Sequence, residues 1–162
     1  MGRVAIYFLE ATGAAIPRRE SRHGRTTVAK PLEGKRILIV DDDPDIVSAL
    51  QAGFAESGAS IKTVNNGARA SDMIAADPPD LIILDMMLPG RSGFLILERF
   101  RPKKVKGQKP FVIMVTANEG KRHEAFARNL GVDEYLLKPL RMDKLLSTAF
   151  TLLGAEYKTD ED

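Results

Sequence analysis

The sequence contains no cysteine, has two histidines and lacks any long hydrophobic run. The absence of cysteine excludes disulfides, thiolate metal sites and cysteine nucleophiles, and it fits a reducing, cytoplasmic compartment. His23 and His123 are too few to favour a zinc enzyme. Because no stretch of about eighteen apolar residues occurs, we expect neither a membrane-spanning helix nor a membrane partner.

The 162 residues, 44% of them apolar, are enough for about one domain with a sizeable core. Charge is uneven along the chain, since residues 1–34 carry +3 and the remainder carries −1. The arginine-rich run from Arg18 to Arg25 has no apolar periodicity. We therefore predict a basic, disordered extension over 1–34, with a phosphate-binding arm as the weaker alternative. The apolar stretch Val4–Leu9 is interrupted by Glu10, which argues against a signal peptide.

From Lys35 onward, short apolar runs alternate with amphipathic stretches, a pattern typical of α/β proteins with a parallel sheet. Several runs lack in-out alternation, which indicates strands covered by helices on both faces. The predicted strands are Ile37–Val40, Ile61–Val64, Leu81–Leu84, Phe111–Val115 and Tyr135–Leu137. The first predicted helix begins after Asp43 and ends by Gly58, and the others are Ala68–Ala76, Gly93–Phe100, Lys121–Asn129 and Met142–Leu153. The basic connection Arg101–Lys109 is predicted to be a solvated loop.

Polar residues follow four of the predicted strands. Ligands of open parallel sheets bind outside the carboxyl ends of the strands, so these side chains should converge. Crowded carboxylates repel one another unless a cation compensates them, and oxygen ligands without Cys or His favour Mg²⁺. The converging residues are Asp41, Asp42 and Asp43 after the first strand, Asp85 after the third, Thr116 after the fourth, and Lys138 with Pro139 after the fifth.

Each of these residues has an ordinary explanation when taken alone. We interpret Asp43 as a helix cap, and Asp85 or Thr116 could simply begin a turn or end a strand. The ordered set of acidic pair, single aspartate, hydroxyl and lysine is much harder to assign to chance. The set therefore favours a functional site.

The region 35–154 resembles the receiver domain of two-component response regulators, in particular stand-alone, chemotaxis-type receivers. Four segments carry the resemblance: Ile37–Pro44, Leu81–Gly93, Val112–Ala117 and Tyr135–Pro139. The resemblance implies a flavodoxin-like, doubly wound sheet of five parallel strands in the order 2-1-3-4-5, with helices on both faces. The periodicity predicts the units but not this order.

The resemblance also implies a role for each site residue. Asp85 would be the phosphoacceptor, phosphorylated by a sensor histidine kinase or a histidine phosphotransfer protein. Asp42, Asp85 and the backbone carbonyl of Met87 would hold Mg²⁺, with Asp41 acting through a coordinated water. Lys138 would contact the phosphoryl group as a flexible cation. The domain would thus catalyse its own phosphorylation and dephosphorylation while serving mainly as a signalling protein.

The resemblance implies that one further pair of residues acts in switching and that another pair sets the lifetime of the phosphoryl group. Thr116 would move to hydrogen-bond a phosphoryl oxygen, and Tyr135 would rotate inward into the space released, although simple edge packing also explains a tyrosine there. Met87 and Asn118 stand two residues after Asp85 and Thr116, where the family controls access of water. Because an apolar Met87 cannot orient water, we predict slow to moderate self-dephosphorylation.

The output of the domain is the least determined feature. After the last predicted helix only the short acidic segment 155–162 remains, so we expect no DNA-binding domain here. The leading hypothesis is phosphorylation-dependent docking to an unknown protein target, and the alternative is a phosphorelay intermediate that passes phosphate to another histidine.

A phosphatase of the haloacid-dehalogenase type remains a remote alternative. Asp41 and Asp43 follow an apolar strand as that family's Asp-x-Asp nucleophile does, and Asp41 would then be the nucleophile. Asp45 departs from the Gly-Thr or Gly-Val that usually follows, and no late acidic pair follows Lys138.

Overall fold

A computed structural model describes residues 30–100 and 107–158 of the chain. Within these ranges five strands alternate with five helices. The strands are β1 (Arg36–Val40), β2 (Ser60–Val64), β3 (Leu81–Asp85), β4 (Phe111–Thr116) and β5 (Glu134–Leu137). The helices are α1 (Pro44–Phe54), α2 (Gly67–Ala76), α3 (Gly93–Phe100), α4 (Lys121–Asn129) and α5 (Met142–Leu152).

The five strands form one parallel sheet in the order β2-β1-β3-β4-β5, which confirms the predicted fold class. In this register Val40 pairs with both Val64 and Leu84, so β1 and β2 end at the same level and β3 continues by one residue, Asp85. Thr116 pairs with Leu137 at the ends of β4 and β5. The residues that follow the strands therefore share one edge of the sheet.

Hydrophobic side chains are buried on both faces of the sheet. Alternate residues of β1 point to opposite faces, so Leu38 and Val40 pack with α2, α3 and α4, whereas Ile37 and Ile39 pack with α1 and α5. This two-sided burial explains why the strands read as continuous apolar runs. Within the described ranges, none of the helices combines the length and the apolar character needed to cross a bilayer.

Most predicted boundaries agree with the structure to within one or two residues, and the differences are local. Asp85 and Thr116 are the last residues of β3 and β4 rather than the first residues after them. Asp43 caps α1 as predicted, because its side chain accepts hydrogen bonds from the amides of Asp45 and Ile46. That helix ends at Phe54 and not near Gly58, which has a φ of +83° in the turn before β2.

The packed structure begins earlier than the predicted extension allows. Leu32 is fully buried with the α1 and α5 side of the core, and its amide donates to the carbonyl of Ser57 at 2.8 Å. At the other end, the ring of Tyr157 packs edge-on against Phe150 at 5.1 Å between centroids. The remainder of the predicted extension, residues 1–29, lies outside the described residues, as do 101–106 of the predicted loop and 159–162.

Candidate functional site

Three aspartates meet at the carboxyl edge of the sheet. Asp41 follows β1 and Asp85 ends the neighbouring strand β3, so the sheet itself places them side by side. One carboxylate oxygen from each of Asp41, Asp42 and Asp85 lies within 4.8 Å of the other two. Asp41 and Asp85 are only 4% and 5% exposed, whereas Asp42 is open to solvent. The cluster is therefore buried on one side and accessible on the other.

Lys138 is the cation that faces this cluster. Its Nζ lies 3.0 Å from Oδ2 of Asp85 and 3.2 Å from Oδ2 of Asp41. The lysine follows β5, and its amide donates to the carbonyl of Thr116 at 2.8 Å, which ties it to the end of β4. Burial alone would lower the pKa of Lys138, but its bonds to Asp85 and Asp41 outweigh burial and raise that pKa. The ammonium thus stays charged between the two carboxylates.

The position of Asp41 is electrostatically unfavourable for its ionised carboxylate. Burial raises the pKa of its carboxyl above the ordinary value, and the nearby charge of Asp85 raises it further. The amide of Asp43, which donates to Oδ1 of Asp41 at 2.9 Å, and the charge of Lys138 oppose this shift without cancelling it. The positive charge of Lys138 therefore does not balance the negative charge of the ionised cluster.

Backbone amides of the adjoining loops hold the carboxylates in place. The amide of Met87 donates to Oδ1 of Asp85 at 3.0 Å, which leaves Oδ2 toward Lys138. The loop after β3 also turns back closely, since the amide of Gly93 donates to the carbonyl of Met86 at 2.9 Å. Each buried carboxylate is thus oriented from two sides before any ligand arrives.

The donor set fits a hard divalent cation. Three carboxylates in reach of one another, with no cysteine or histidine among them, are oxygen ligands of the kind that Mg²⁺ prefers. The excess negative charge left by one lysine gives such an ion a favourable electrostatic position. Asp43 is outside this group and acts as the helix cap.

Three further predicted residues meet at the loop between β4 and α4: Thr116 ends β4, Asn118 lies in the loop and Tyr135 contacts it from β5. Thr116 is fully buried, and its Oγ1 accepts from the amide of Asn118 at 3.0 Å. The carboxamide oxygen of Asn118 in turn accepts from the amide of Gly120 at 2.9 Å. The hydroxyl of Tyr135 donates to the carbonyl of Asn118 at 3.1 Å. Tyr135 therefore connects β5 to this loop.

Two of these side chains differ in exposure. Tyr135 is already buried, with 8% of its surface exposed, although the resemblance implies an inward rotation on phosphorylation. Burial, followed by the charge of Glu124, raises the pKa of its hydroxyl. Met87 is 66% exposed beside the acidic cluster. The predicted site residues thus converge on one edge, with the tyrosine inside the core and the methionine in solvent.

Sequence reasoning missed one neighbour of the cluster. Arg69, in the first turn of α2, lines a groove together with Asp41 and Asp42. The sequence gives little indication that Arg69 lies near the cluster. It stands five residues after the end of a short strand, and the stretch Asn65–Arg69 contains no recognisable motif. The parallel sheet nevertheless brings this helix start to the same edge.

Comparison with known proteins gives one consistent family. Residues 37–150 match the model of the response regulator receiver domain. The chain is 34% identical over 126 residues to the response regulator MprA of Mycobacterium avium, covering 78% of this chain and 54% of that protein. MprA of Mycobacterium tuberculosis is also 34% identical, over 118 residues, covering 73% of this chain and 50% of that protein. The chain thus spans about half the length of these curated relatives.

Solved structures agree with the sequence comparisons. A Francisella response regulator receiver domain superposes with a TM-score of 0.66 at 26% identity, covering 74% of this chain and 97% of that one. A CheY-like receiver domain protein from Methanospirillum hungatei superposes with a TM-score of 0.64 at 29% identity, covering 74% and 93%. Fold, site and relatives lead to the same assignment: this chain belongs to the response regulator receiver domain family of two-component systems.

Proposed function

We propose that this receiver domain is a phosphorylation-dependent switch that accepts a phosphoryl group on Asp85 from a sensor histidine kinase or a histidine phosphotransfer protein. The observation that carries the proposal is the environment of Asp85. Its buried carboxylate has one oxygen fixed by the Met87 amide and the other bound to Lys138, within reach of two more aspartates. That arrangement presents a single carboxylate to an incoming phosphorus while cations offset the charge of both partners.

The transfer step needs little covalent work from the protein. An oxygen of Asp85 attacks phosphorus, the new O–P bond forms as the P–N bond to the donor histidine breaks, and the departing imidazole nitrogen keeps the bonding electron pair. Mg²⁺, when bound by Asp41, Asp42, Asp85 and the backbone carbonyl of Met87, would neutralise charge on the phosphoryl oxygens. Lys138, already 3.0 Å from Asp85, adds a second cation beside the product.

Switching would follow from a choice of hydrogen-bond partner by Thr116. Its hydroxyl now accepts from the Asn118 amide, and a phosphoryl oxygen on Asp85 would offer it an acceptor to which it can donate. The Tyr135 ring is already buried, and its hydroxyl donates to the Asn118 carbonyl. The element displaced would therefore be the loop that follows Thr116. Phosphorylation shifts this equilibrium only through such better contacts in one state.

The aspartyl phosphate would be read out by docking to a partner protein, with onward transfer to another histidine as the alternative. Two similar solved structures, the receiver domains of Klebsiella pneumoniae RstA and of DrrB, are described as BeF3-activated, which supports beryllofluoride as a mimic for this chain. Capture of a partner only in beryllofluoride would favour docking. Transfer of phosphate from Asp85 to a histidine phosphotransfer domain would favour the relay.

Mass spectrometry of the phosphorylated protein tests the proposal directly. Acetyl phosphate with Mg²⁺ should add one phosphoryl group to the wild-type protein, and Asp85→Asn should abolish the adduct. Adduct retained in Asp85→Asn but lost in Asp41→Asn would instead support the phosphatase hypothesis in which Asp41 is the nucleophile.

A further inference from the structure

We infer that Arg69 binds the anionic phosphodonor on the open side of the site. This inference rests on the proposed function and deepens it by assigning a cation to the donor rather than to the product. It concerns the step before transfer, when a dianionic phosphoryl group must approach three carboxylates.

The groove beside the acidic cluster gives the donor a place to lie. It has a volume of about 350 Å³ and runs from the end of β1 to the start of α2. Its walls combine the acidic pair with apolar and polar groups of the neighbouring elements, so it is a continuation of the site and not a separate cavity. The lining residues are Asp41, Asp42, Pro44, Val47, Thr63, Val64, Asn65 and Arg69.

The position of the groove matches the open side of the cluster. Thr116 and Lys138 occupy the β4 and β5 side of Asp85, and Asp85 itself is buried. Asp42, on the opposite side, is exposed and lines the groove. A donor attacked by Asp85 must place its leaving group away from the attacking oxygen, so we place that group toward β2 and α2.

Arg69 is the cation that lines this groove. Its guanidinium has no ion pair within the described ranges, whereas Arg36 and Arg128 bond to carboxylates there. Arg69 also lies in the first turn of α2, which has no acidic residue, and a cation is disfavoured at that end of a helix. Among the residues that the structure describes, the charge of Arg69 therefore stabilises neither the helix nor a salt bridge, and it remains available to an anion from solvent.

A cation at the entrance should act on capture of the donor and not on the fate of the product. With acetyl phosphate, the O–P bond to Asp85 forms, the P–O bond to the acetyl group breaks, and acetate leaves with the electron pair. Once acetate has departed through the groove, the aspartyl phosphate faces Lys138 and Thr116. Hydrolysis uses a neutral water from the groove side, which a cation at the entrance does not attract as it attracts an anionic donor, so hydrolysis should be insensitive to Arg69.

The test compares Arg69→Gln with Arg122→Gln at saturating Mg²⁺. Arg122 is a matched control because it is also exposed and also lies in the first turn of a helix, α4, but does not line the groove. The probes are acetyl phosphate and the less highly charged phosphoramidate, with adduct formation followed by intact mass. Unfolding midpoints in urea check that both variants fold as the wild type does.

Arg69→Gln should lower the second-order rate constant for acetyl phosphate by roughly tenfold, the low end of electrostatic rate enhancements. The loss should be smaller with phosphoramidate, should shrink as salt is added, and should leave hydrolysis of the Asp85 phosphate unchanged. Arg122→Gln should match the wild type in every measurement.

Other outcomes overturn the inference. An equal loss in both variants would mean that only net charge matters, and no loss in Arg69→Gln would mean that the groove does not receive the donor. Faster or slower hydrolysis in Arg69→Gln would place the arginine at the product instead. If Arg69→Gln behaves as the wild type while Asp85→Asn loses the adduct, the inference fails and the proposed function stands; a wild-type protein that gains no adduct overturns both.

Discussion

At the scale of single residues, the site combines groups that are fixed with one that is not. Asp85 and Lys138 are held by hydrogen bonds from both sides, and Asn118 has its carboxamide oxygen occupied by the Gly120 amide. Met87, by contrast, projects into solvent with 66% of its surface exposed. No polar side chain therefore stands at position 87 to hold a water near the phosphoryl group.

Replacing Met87 with asparagine should shorten the lifetime of the aspartyl phosphate several-fold. A carboxamide at that exposed position can orient a water for attack on phosphorus, which a thioether cannot do. The decay of the adduct after removal of acetyl phosphate measures this lifetime, and Met87→Leu serves as an apolar control. A wild-type half-life of seconds that lengthens little in Asn118→Ala would contradict the predicted slow to moderate dephosphorylation.

At the scale of elements, the start of α3 is packed directly against the end of β3. A Cβ added to Gly93 would lie 2.6 Å from the carbonyl oxygen of Asp85 and 3.1 Å from Cα of Met86. Both are backbone atoms of the phosphoacceptor segment, so they cannot turn aside as a flexible side chain can. The position of Asp85 thus depends on a glycine eight residues further along the chain.

Gly93→Ala should destabilise the fold by about 1–3 kcal/mol and slow the phosphorylation of Asp85, because the added methyl forces backbone to move. Urea unfolding and adduct formation measure the two effects. Gly53→Ala is the matched control, since the nearest atoms to its methyl would belong to the side chain of Leu146, at 3.0 Å, and not to backbone, in a helix that alanine favours. Equal stability losses in the two variants would show that close backbone contact at Gly93 is not the cause.

At the scale of the whole molecule, the individual strands and helices could be predicted from the sequence, whereas several long-range contacts could not. Continuous apolar runs predicted β1, β3 and β4, which are buried on both faces, and shorter apolar stretches predicted the edge strands β2 and β5. The strand order came only from the family resemblance. Leu32 was missed because a single leucine between Pro31 and Glu33 shows no periodicity. Asp133 was missed as well, although its buried carboxylate accepts from the amides of Gly107 and Val112. Such contacts join distant segments and leave no local pattern.

The buried negative charge of the site should lower the free energy of unfolding of the whole domain. Because the pKa of Asp41 is raised on folding, the folded state holds this proton more tightly than the unfolded state does. Stability therefore falls as pH rises from the ordinary carboxyl pKa of 3.8 through the folded value, and the full cost is present above that folded value. Lys138 acts in the opposite sense, since its raised pKa gives stability that persists until strongly alkaline pH.

Asp41→Asn should consequently raise the melting temperature at pH 7 in EDTA by about 2–4 °C. Asparagine keeps an oxygen for the Asp43 amide while removing the buried charge, so the gain should vanish below pH 3.8, where the wild-type carboxyl is also neutral. Mg²⁺ should reverse the ranking, because an ion bound only to the folded wild-type cluster stabilises it by mass action, and Asp41→Asn binds that ion less tightly. Calorimetry across pH, with and without Mg²⁺, measures both effects. A variant that is less stable than the wild type in EDTA at pH 7 would show that the ion pair with Lys138 outweighs the burial of the Asp41 charge.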